Sequence, residues 1–367
     1  MGSTGKTILV AGGAGYLGSH AVVELLNAGH RVVVVDDLSN CQENSEDINE
    51  FPPSLVRVKQ ISGKECLHYA NVNVCDKASL SAVFDNFNID TVCDFSGKKA
   101  VGESTKMPML YYKTNLTGTM QLLRCMKEHN VKNFLFSSSC TVYGAPDPKT
   151  LPMKETGQVG MCHCPYAKSK LFCESLLEDM TIGAPDYWKI VIMRYFNPVG
   201  AHESGLLGED PKGDPQNLLP KLAQVAIGKR PILNLYGNDY STTDGTPIRD
   251  YVHVMDVAKA HCSAINKLDF IKGLSVYNIG TGKGKSTWDM IREFEKACGM
   301  EIPLQICDRR PGDVPAIFSD TSKAERDLDW KAERTHQQMC EDLWRFYTLN
   351  PNGYQDISAL TEAGIAI

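Results

Sequence analysis

Residues 8–18 read Ile-Leu-Val-Ala-Gly-Gly-Ala-Gly-Tyr-Leu-Gly, and this stretch predicts how the first half of the chain folds. The apolar run 8–11 is typical of a buried parallel strand, and the glycines after it predict a tight turn. From residue 16 to residue 28 apolar residues recur at helical spacing, and Gly29 then ends the predicted helix. We therefore expect a strand, a glycine-rich turn and a helix in direct succession.

The residues beyond this helix make the turn a candidate nucleotide site. Four valines at 32–35 predict a second buried strand, which ends at Asp36, where an acid is placed to hold a ribose hydroxyl. The glycines permit the turn and a close approach of a pyrophosphate, which the helix N-terminus attracts. Two adjacent acids oppose a 2′-phosphate, so NAD is favoured over NADP, although a loop-capping role for Asp36 is the alternative. The candidate cofactor-binding residues of this segment are Gly12, Gly15, Tyr16, Leu17, Gly18, Asp36 and Asp37.

The α/β alternation continues along the chain and predicts a doubly wound parallel sheet. Segments 90–95, 133–136 and 190–195 read as further strands, and the polar segment 41–67 as a loop with a helix outside the sheet. Because ligands bind at the carboxyl ends of parallel strands, the three strand exits should border one cleft. We predict an NAD-binding domain over residues 1–200, with a segment near 251–285 returning to its sheet, and an interleaved, smaller α/β substrate domain over 201–367.

Three residues far from the glycine turn form a candidate proton-transfer site. A free tyrosine has a pKa near 10, so a catalytic phenolate at neutral pH needs stabilisation. Lys170 lies four residues after Tyr166, on the same face of a predicted helix, where its charge favours the phenolate. Ser139 is placed to hydrogen-bond the substrate oxygen or the phenol. This Tyr/Lys spacing occurs by chance on many helices, and the upstream nucleotide motif gives it its significance.

Composition excludes several classes of protein. The net charge of -6 comes without a basic run, so nucleic acid and anionic membranes are poor partners. We find no apolar stretch long enough to span a bilayer and no secretory signal, and we expect a cytoplasmic protein. Thirteen cysteines fit reduced cytosolic thiols, and the cluster at 162–164 lacks a second ligand pair at a zinc spacing, so we predict no metal site.

Several further segments show a family resemblance that runs almost end to end. The chain resembles the extended short-chain dehydrogenase/reductases, and among them most closely the UDP-glucose 4-epimerase family. The glycine turn and the Tyr/Lys pair are typical of the whole superfamily, whereas the later segments resemble the epimerases. The matching segments are 12–20, 99–104, 137–144, 195–201, 236–240, 243–246, 249–256 and 309–313.

The resemblance implies epimerisation at sugar C4 through a 4-keto intermediate, with tightly bound NAD that is not consumed. Tyr166 would take the proton of the 4-hydroxyl, Ser139 would assist, and Lys170 would hold the nicotinamide ribose and lower the pKa of Tyr166. Further NAD-contacting positions implied are Asn73, Val74, Phe95, Lys99, Asn115 and Tyr195, besides the catalytic three. The UDP-sugar would contact Lys99, Ser139, Tyr166, Asn197, Asn217, Leu218, Tyr236, Arg249, Tyr251, Arg310, Asp313 and Ile317.

Two positions depart from the family pattern. Asn73 stands where an Asp often lies near the adenine, so we expect weaker adenosine contacts there. Ile317 stands where a large tyrosine narrows the sugar pocket and a small residue widens it, so acceptance of N-acetylated UDP-sugars stays open. The arginines at 249 and 310 suit a diphosphate, although each alone would more often be a surface ion-pair partner.

Two alternatives to epimerisation stay open, together with the oligomeric state. A 4,6-dehydratase or decarboxylase on the same scaffold is one, but a dehydratase would want an acid pair beside Ser139, which is followed by Cys, Thr and Val. A regulatory protein without catalysis is the other, and it would not need the three candidate catalytic residues. Apolar faces of the predicted helices 116–130 and 165–180 would pair two subunits in a homodimer, or pack against the sheet in a monomer.

Overall fold

A computed structural model describes residues 5–43, 50–310 and 312–355 of the chain. Pro311, part of one matching segment, and the outermost residues of the two predicted domains lie outside them.

The strands are β1 (Thr7–Ala11), β2 (Arg31–Asp36), β3 (Leu67–Asn71), β4 (Thr91–Asp94), β5 (Asn133–Ser139), β6 (Lys189–Tyr195), β7 (Asn197–Val199), β8 (Leu233–Tyr236), β9 (Ile248–His253), β10 (Gly273–Ile279), β11 (Gly284–Ser286), β12 (Leu304–Cys307) and β13 (Ala316–Ile317). The α-helices are α1 (Tyr16–Asn27), α2 (Pro53–Ser62), α3 (Lys77–Asn86), α4 (Val101–Lys106), α5 (Pro108–Tyr111), α6 (Gly118–Glu128), α7 (Pro165–Gly183), α8 (Leu218–Ala226), α9 (Val254–Lys267), α10 (Thr287–Cys298), α11 (Ser322–Leu328) and α12 (His336–Leu349).

The large sheet of the described residues has seven strands in the order β10-β6-β5-β4-β1-β2-β3, and every neighbouring pair is parallel. From the middle of the sheet, β1, β2 and β3 follow one another toward one edge, and β4, β5, β6 and β10 follow one another toward the other edge. Such a reversal opens a crevice at the carboxyl ends of β1 and β4, where ligands bind. The predicted doubly wound α/β fold is confirmed.

Helices cover both faces of this sheet because alternate strand residues point to opposite faces. Ile8 and Val10 of β1 pack in one apolar cluster together with residues of α1 and α9. Leu9 packs on the other side, in a cluster with residues of α3, α6 and α7. The strands therefore read as continuous apolar runs, as strands buried on both faces do.

Two smaller sheets adjoin the carboxyl edge of the large one. In the first, β9 pairs with β7, β11 and β13, and in the second β8 pairs with β12. β7 begins two residues after β6 ends, so the chain passes from one sheet into the other at Phe196. Strand β10 lies at the edge of the large sheet, so part of the segment near 251–285 returns to this sheet, as expected, although it follows the first smaller-sheet strands in sequence. The exact division into domains stays a prediction.

Two elements near the crevice differ from the sequence expectation. β5 runs through Ser139 instead of ending at Phe136, because residues 137–139 continue the ladder with β6. The helix expected from Leu116 begins at Gly118 and follows a π-helical turn over Tyr112–Thr117. Among the described residues, no helix has both the length and the apolar character that crossing a membrane requires.

Candidate active site

The glycine turn connects β1 to the N-terminus of α1 in the crevice. Gly12 has a φ of +73° and donates its N–H to the Val35 carbonyl at 2.8 Å. A Cβ on Gly12 would lie 2.7 Å from the Phe95 backbone, and a Cβ on Gly18 would lie 2.2 Å from the Gly12 oxygen, so packing forbids side chains at both positions. A Cβ on Gly15, the N-cap of α1, would meet the Gly12 oxygen at an ordinary 3.4 Å. The protein's own packing therefore does not require glycine at 15, whereas an anion resting on the helix N-terminus would.

Asp36 is buried and braces the turn from β2. Its carboxylate accepts hydrogen bonds from the Ala14 N–H at 3.0 Å and the Leu38 N–H at 2.9 Å. Burial raises the pKa of Asp36 to about 6, although these hydrogen bonds oppose the rise. Asp36 thus fixes the backbone of the turn, in addition to any ribose contact.

Asn73 contacts the second acid of the pair. Its side-chain amide donates to Asp37 Oδ2 at 2.8 Å, and its oxygen accepts the Cys75 N–H at the same distance. An aspartate at 73 would place a like charge against Asp37, so the departure from the family pattern removes a repulsion. Val74 is buried next to it and packs on Gly118, where a Cβ would lie 2.8 Å from its side chain.

Lys99 lies over the first turn of α1. Its ammonium is 5.3 Å from the ring centre of Tyr16 and donates to Glu209 Oε1 at 2.6 Å. The Tyr16 hydroxyl donates to the Gly200 carbonyl at 2.8 Å, and burial raises the pKa of Tyr16 well above its usual value. Leu17 is partly buried against the core. The exposed side of Lys99 leaves its charge available to an anion, while Glu209 fixes its position.

Lys170 contacts the carboxyl ends of two neighbouring strands, β4 and β5. Its ammonium donates to the Ser137 carbonyl at 2.7 Å, and a Cβ on Gly97 would lie only 2.9 Å from its Nζ. Burial lowers the pKa of Lys170, and the charge of Asp94 is the main influence that raises it. Asn115, in the π-helical turn, accepts the Lys98 N–H at 2.8 Å and donates to Ser169 at 2.9 Å, which fixes the loop after β4 to the helix of Lys170.

Tyr195, at the end of β6, is linked to a histidine that sequence reasoning missed. Its hydroxyl lies 2.8 Å from both Ser137 Oγ and His261 Nε2. His261 Nδ1 lies 2.9 Å from the Val257 carbonyl and must carry the proton there, so Nε2 accepts from Tyr195. Burial lowers the pKa of His261 to about 4, and its ring centre is 4.6 Å from that of Phe95.

Ser139 and Tyr166 meet at the carboxyl end of β5. Ser139 Oγ accepts the Thr141 N–H at 3.2 Å and the Thr141 hydroxyl at 3.0 Å. Tyr166 is the second residue of α7, whose N-terminus is capped by Cys164, and its ring lies edge-on to Tyr111. Burial raises the pKa of Tyr166 to about 12, whereas a hydrogen bond with Ser139 lowers it. The phenol therefore has its predicted partner and needs additional positive charge to ionise at neutral pH.

A second group of candidate residues surrounds a pair of arginines. Arg249 in β9 is mostly buried and donates to the carbonyls of Ile248 and Val314 at 2.9 and 2.8 Å and to Asp313 at 3.3 Å. Arg310 is 54% exposed, donates to Asp313 Oδ2 at 3.1 Å and lies 4.9 Å from the Tyr236 ring centre. One carboxylate thus faces two guanidinium groups, which leaves net positive charge for an anion.

The remaining candidates connect this group to Ser139. Ile317 opposes Arg249 in the β9–β13 ladder and packs in one apolar cluster with Cys140 and Phe196. Asn197 donates to the Asp250 carbonyl at 3.2 Å. Burial raises the pKa of Cys140 to about 12, and the charge of Arg249 opposes this rise, so the thiol next to Ser139 lies within electrostatic range of that arginine. The others are Asn217, which is the N-cap of α8, Leu218, its first residue, and Tyr251, which is buried in β9.

Sequence reasoning missed the residues that fix these side chains. Glu209 and His261 are single polar residues in segments without a recognisable local pattern, and their partners are 110 and 66 positions away. The π-helical turn that presents Asn115 also gave no signal. Asp250 is a further case, since its carboxylate accepts the Thr281 N–H at 2.7 Å and the Ser319 N–H at 3.1 Å.

The fold and the site define an extended short-chain dehydrogenase/reductase, and comparisons with known proteins agree. The family model described as GDP-mannose 4,6 dehydratase matches residues 9–343. A UDP-glucose 4-epimerase of Drosophila melanogaster is 47% identical over 350 residues, which cover 95% of this chain and 98% of that protein. One from Pasteurella multocida is 49% identical over 349 residues, covering 95% and 99%. The crystal structure of UDP-glucose 4-epimerase from Bifidobacterium longum in complex with NAD⁺ and UDP has a TM-score of 0.88 and 48% identity, covering 95% of this chain and all of that one.

The chain belongs to the UDP-glucose 4-epimerase family, whose members are NAD-dependent isomerases. The family resemblance expected from the sequence is thereby confirmed, together with an NAD-dependent enzyme class.

Proposed function

We propose that this protein interconverts UDP-galactose and UDP-glucose by oxidising sugar C4 to a ketone and reducing it again, as part of galactose metabolism. The observation that carries this proposal is the hydrogen bond of Ser139 with Tyr166 at the carboxyl end of β5, with the cluster of Cys140 and Ile317 extending from there to Arg249. This arrangement suits a sugar hydroxyl at one end and a diphosphate at the other. The fit of the glycine turn to a pyrophosphate supports NAD as the resident cofactor.

The chain's own residues would perform the proton transfer. Tyr166 takes the proton of the 4-hydroxyl and returns it, and Ser139 hydrogen-bonds the reacting oxygen. Bringing the pKa of this phenol from about 12 to about 7 requires about 7 kcal/mol of preferential stabilisation of the phenolate. Lys170 contributes positive charge from the same helix. Bound NAD would supply hydride-transfer chemistry at C4 and a positive charge near Tyr166.

The binding roles follow the two halves of the site. Gly12, Gly15 and Gly18 with their helix, the acids at 36 and 37, and Asn115 would hold NAD. Arg249 and Arg310 would hold the diphosphate of the UDP-sugar, with Asp313 between them. Since a 4-keto sugar must rotate before it is reduced on its other face, we propose that NAD stays bound throughout turnover.

The rival reaction is dehydration, because the matching family model is described as a dehydratase. Removal of water from the sugar needs an acid beside the serine at the end of β5. Here that serine is followed by Cys140 and Thr141, and the Thr141 hydroxyl is committed to Ser139 Oγ at 3.0 Å. These residues favour an oxidation that is reversed at the same carbon.

The deciding experiment incubates the purified protein with UDP-galactose, without added NAD, and follows UDP-glucose by chromatography and mass spectrometry. We expect UDP-glucose at unchanged mass and no release of NADH. A product that has lost water would establish a dehydratase instead. No product after NAD is supplied would contradict the proposal.

We further propose that the sugar pocket admits N-acetylated UDP-sugars to a limited degree. Ile317 is buried with Cys140 and Phe196, and its side chain is intermediate in size between those that close and those that open such a pocket. The matching assay replaces UDP-galactose with UDP-N-acetylgalactosamine. Equal kcat/KM values for the two substrates, or activity on UDP-galactose alone, would contradict this limited acceptance of N-acetylated sugars.

We also propose a cytoplasmic homodimer. Met109 is 78% exposed and Phe172 on α7 is 46% exposed, with its ring stacked on Tyr112 at 6.0 Å, while Met120 on α6 is 43% exposed. Burying this apolar surface against a second copy would stabilise a pair. Sedimentation at micromolar concentration tests the dimer, and Phe172→Asp should shift it toward monomer. Fractionation of cells with an antibody against the protein tests the compartment.

A further inference from the structure

A buried ion pair joins helix α7 to strand β6 behind the candidate catalytic residues. Glu174 Oε2 lies 2.6 Å from Arg194 Nη2, and Oε1 accepts from Arg194 Nε at 3.1 Å, which makes the pair bidentate. The two side chains are only 8% and 6% exposed. Burying two charges is costly, and a pair of apolar residues would often serve stability as well. The pair is therefore poorly explained by stability alone.

The pair also contacts strand β5 at the residue before Ser139. Ser138 donates its hydroxyl to Glu174 Oε1. Ser138 also lies opposite Arg194 in the parallel ladder between β5 and β6. The backbone of Ser139 is thus held on one side by a side chain of α7.

The turn after Ser139 is held by the same guanidinium. Residues 140–143 form a 3-10 turn, and Arg194 Nη1 donates to the Tyr143 hydroxyl at 3.0 Å. Tyr143 donates in turn to Asn278 Oδ1 at 2.7 Å, which ties the turn to β10. The residues on both sides of Ser139 therefore connect to Arg194.

On the helix side, Glu174 lies one turn beyond Lys170 and two turns beyond Tyr166, on the same face of α7. Its charge is among the influences that raise the pKa of Lys170 against burial. The helix that carries the phenol and the ammonium is thereby joined to the strand that carries the serine.

We propose that Glu174, Arg194 and Ser138 are positioning residues that set the separation between Ser139 and Tyr166. This inference rests on the proposed epimerase function. In a site where the reacting atoms must be held closely, a displacement of about 1 Å costs about a hundredfold in rate. The pair would then be retained for the geometry of the site.

The test compares Glu174→Gln and Ser138→Ala with the wild-type holoenzyme. Ser138→Ala cuts the link between helix and strand but keeps both charges, so it should fold even if Glu174→Gln does not. We expect kcat to fall about tenfold for Ser138→Ala and up to about a hundredfold for Glu174→Gln. KM and the NAD retained per subunit should stay within twofold of wild type. Glu178→Gln, one turn along the same helix and exposed, is the matched control and should equal wild type.

A double variant separates positioning from stability. Glu174→Leu with Arg194→Met removes both charges, so its melting temperature should return toward wild type. We expect kcat to stay low in this variant. Recovery of wild-type kcat together with the melting temperature would overturn the proposal, and so would a folded Ser138→Ala variant with wild-type kcat.

The wild-type assay distinguishes this proposal from the proposed function. If wild type forms UDP-glucose from UDP-galactose, the variants test positioning as described. If wild type forms another product, the proposed function fails, and the same kcat comparison on that product still tests positioning of Ser139 and Tyr166. Equal rates for Ser138→Ala and wild type would then refute the positioning role independently.

Discussion

Replacing Tyr166 by Phe should abolish most turnover and leave binding intact. The phenol is buried and edge-on to Tyr111, and phenylalanine keeps this packing while removing only the hydroxyl that contacts Ser139. A general base contributes about 10²–10⁴ in rate. At about 1.4 kcal/mol per tenfold, the barrier should rise by about 3–6 kcal/mol. NAD content and UDP affinity should change little, because neither depends on removal of this proton.

The assay measures kcat with UDP-galactose, NAD content of the denatured protein, and UDP affinity by calorimetry. Tyr187→Phe is the matched control. Tyr187 lies just before the amino end of β6, on the side of the sheet away from the crevice, and its hydroxyl makes no hydrogen bond within the described residues. That control should retain wild-type kcat. A Tyr166→Phe protein that folds, binds both ligands and epimerises at the wild-type rate would refute the role of Tyr166 as the base.

Three further outcomes are expected. Arg249→Lys should weaken UDP binding by about 1.5–3 kcal/mol, because lysine cannot keep the charged hydrogen bonds to two carbonyls and Asp313. Arg309→Lys, which alters an exposed ion pair with Asp239, should leave UDP binding unchanged, and calorimetry compares the two variants. Ile317→Ala should raise the kcat/KM ratio of UDP-N-acetylgalactosamine to UDP-galactose at least tenfold by enlarging the pocket, and an unchanged ratio would place the acetamide elsewhere. The pKa of His261 is about 4 in the folded protein and near 6.5 in the unfolded chain. This difference should contribute up to about 3 kcal/mol to the free energy of unfolding, which is fully present above pH 6.5 and is lost as pH falls toward 4. Between pH 4 and 7, the free energy of unfolding measured with denaturant should rise less steeply with pH in His261→Gln than in wild type. Identical slopes in the two proteins would contradict the shifted pKa.

The parts of the fold that follow local rules could be predicted from the sequence. The apolar run 8–11, the glycines and the four valines each have the periodicity or the backbone freedom of the element they form, so strand, turn and helix were expected within a residue or two. The exit of β5 was misplaced because serine has no strong preference for strands. Its three serines stay in the ladder because β6 pairs with them, which no local pattern indicates.

The candidate site shows the same division. Tyr166 and Lys170 share a helix, so their common face was predictable from spacing alone. Asp36 was expected to hold a ribose, with loop capping as the alternative. The structure shows its carboxylate accepting the Ala14 and Leu38 N–H groups, as capping requires, and the ribose contact stays a prediction. Both roles need an acid at the end of β2, and sequence cannot separate them.

Long-range electrostatics is the part that sequence could not supply, and Tyr166 illustrates why. Spacing predicts that Lys170 lowers the pKa of the phenol, but the ammonium is committed to the Ser137 carbonyl, and burial dominates and raises the pKa to about 12. The burial that opposes ionisation depends in part on Tyr111, which is distant in sequence but packs in the same apolar cluster as Tyr166. A phenol so placed ionises only when positive charge is added to the site. Proton abstraction should therefore depend on bound NAD, because a phenol buried in this way stays protonated at neutral pH unless positive charge lies beside it, and the oxidised cofactor would supply that charge.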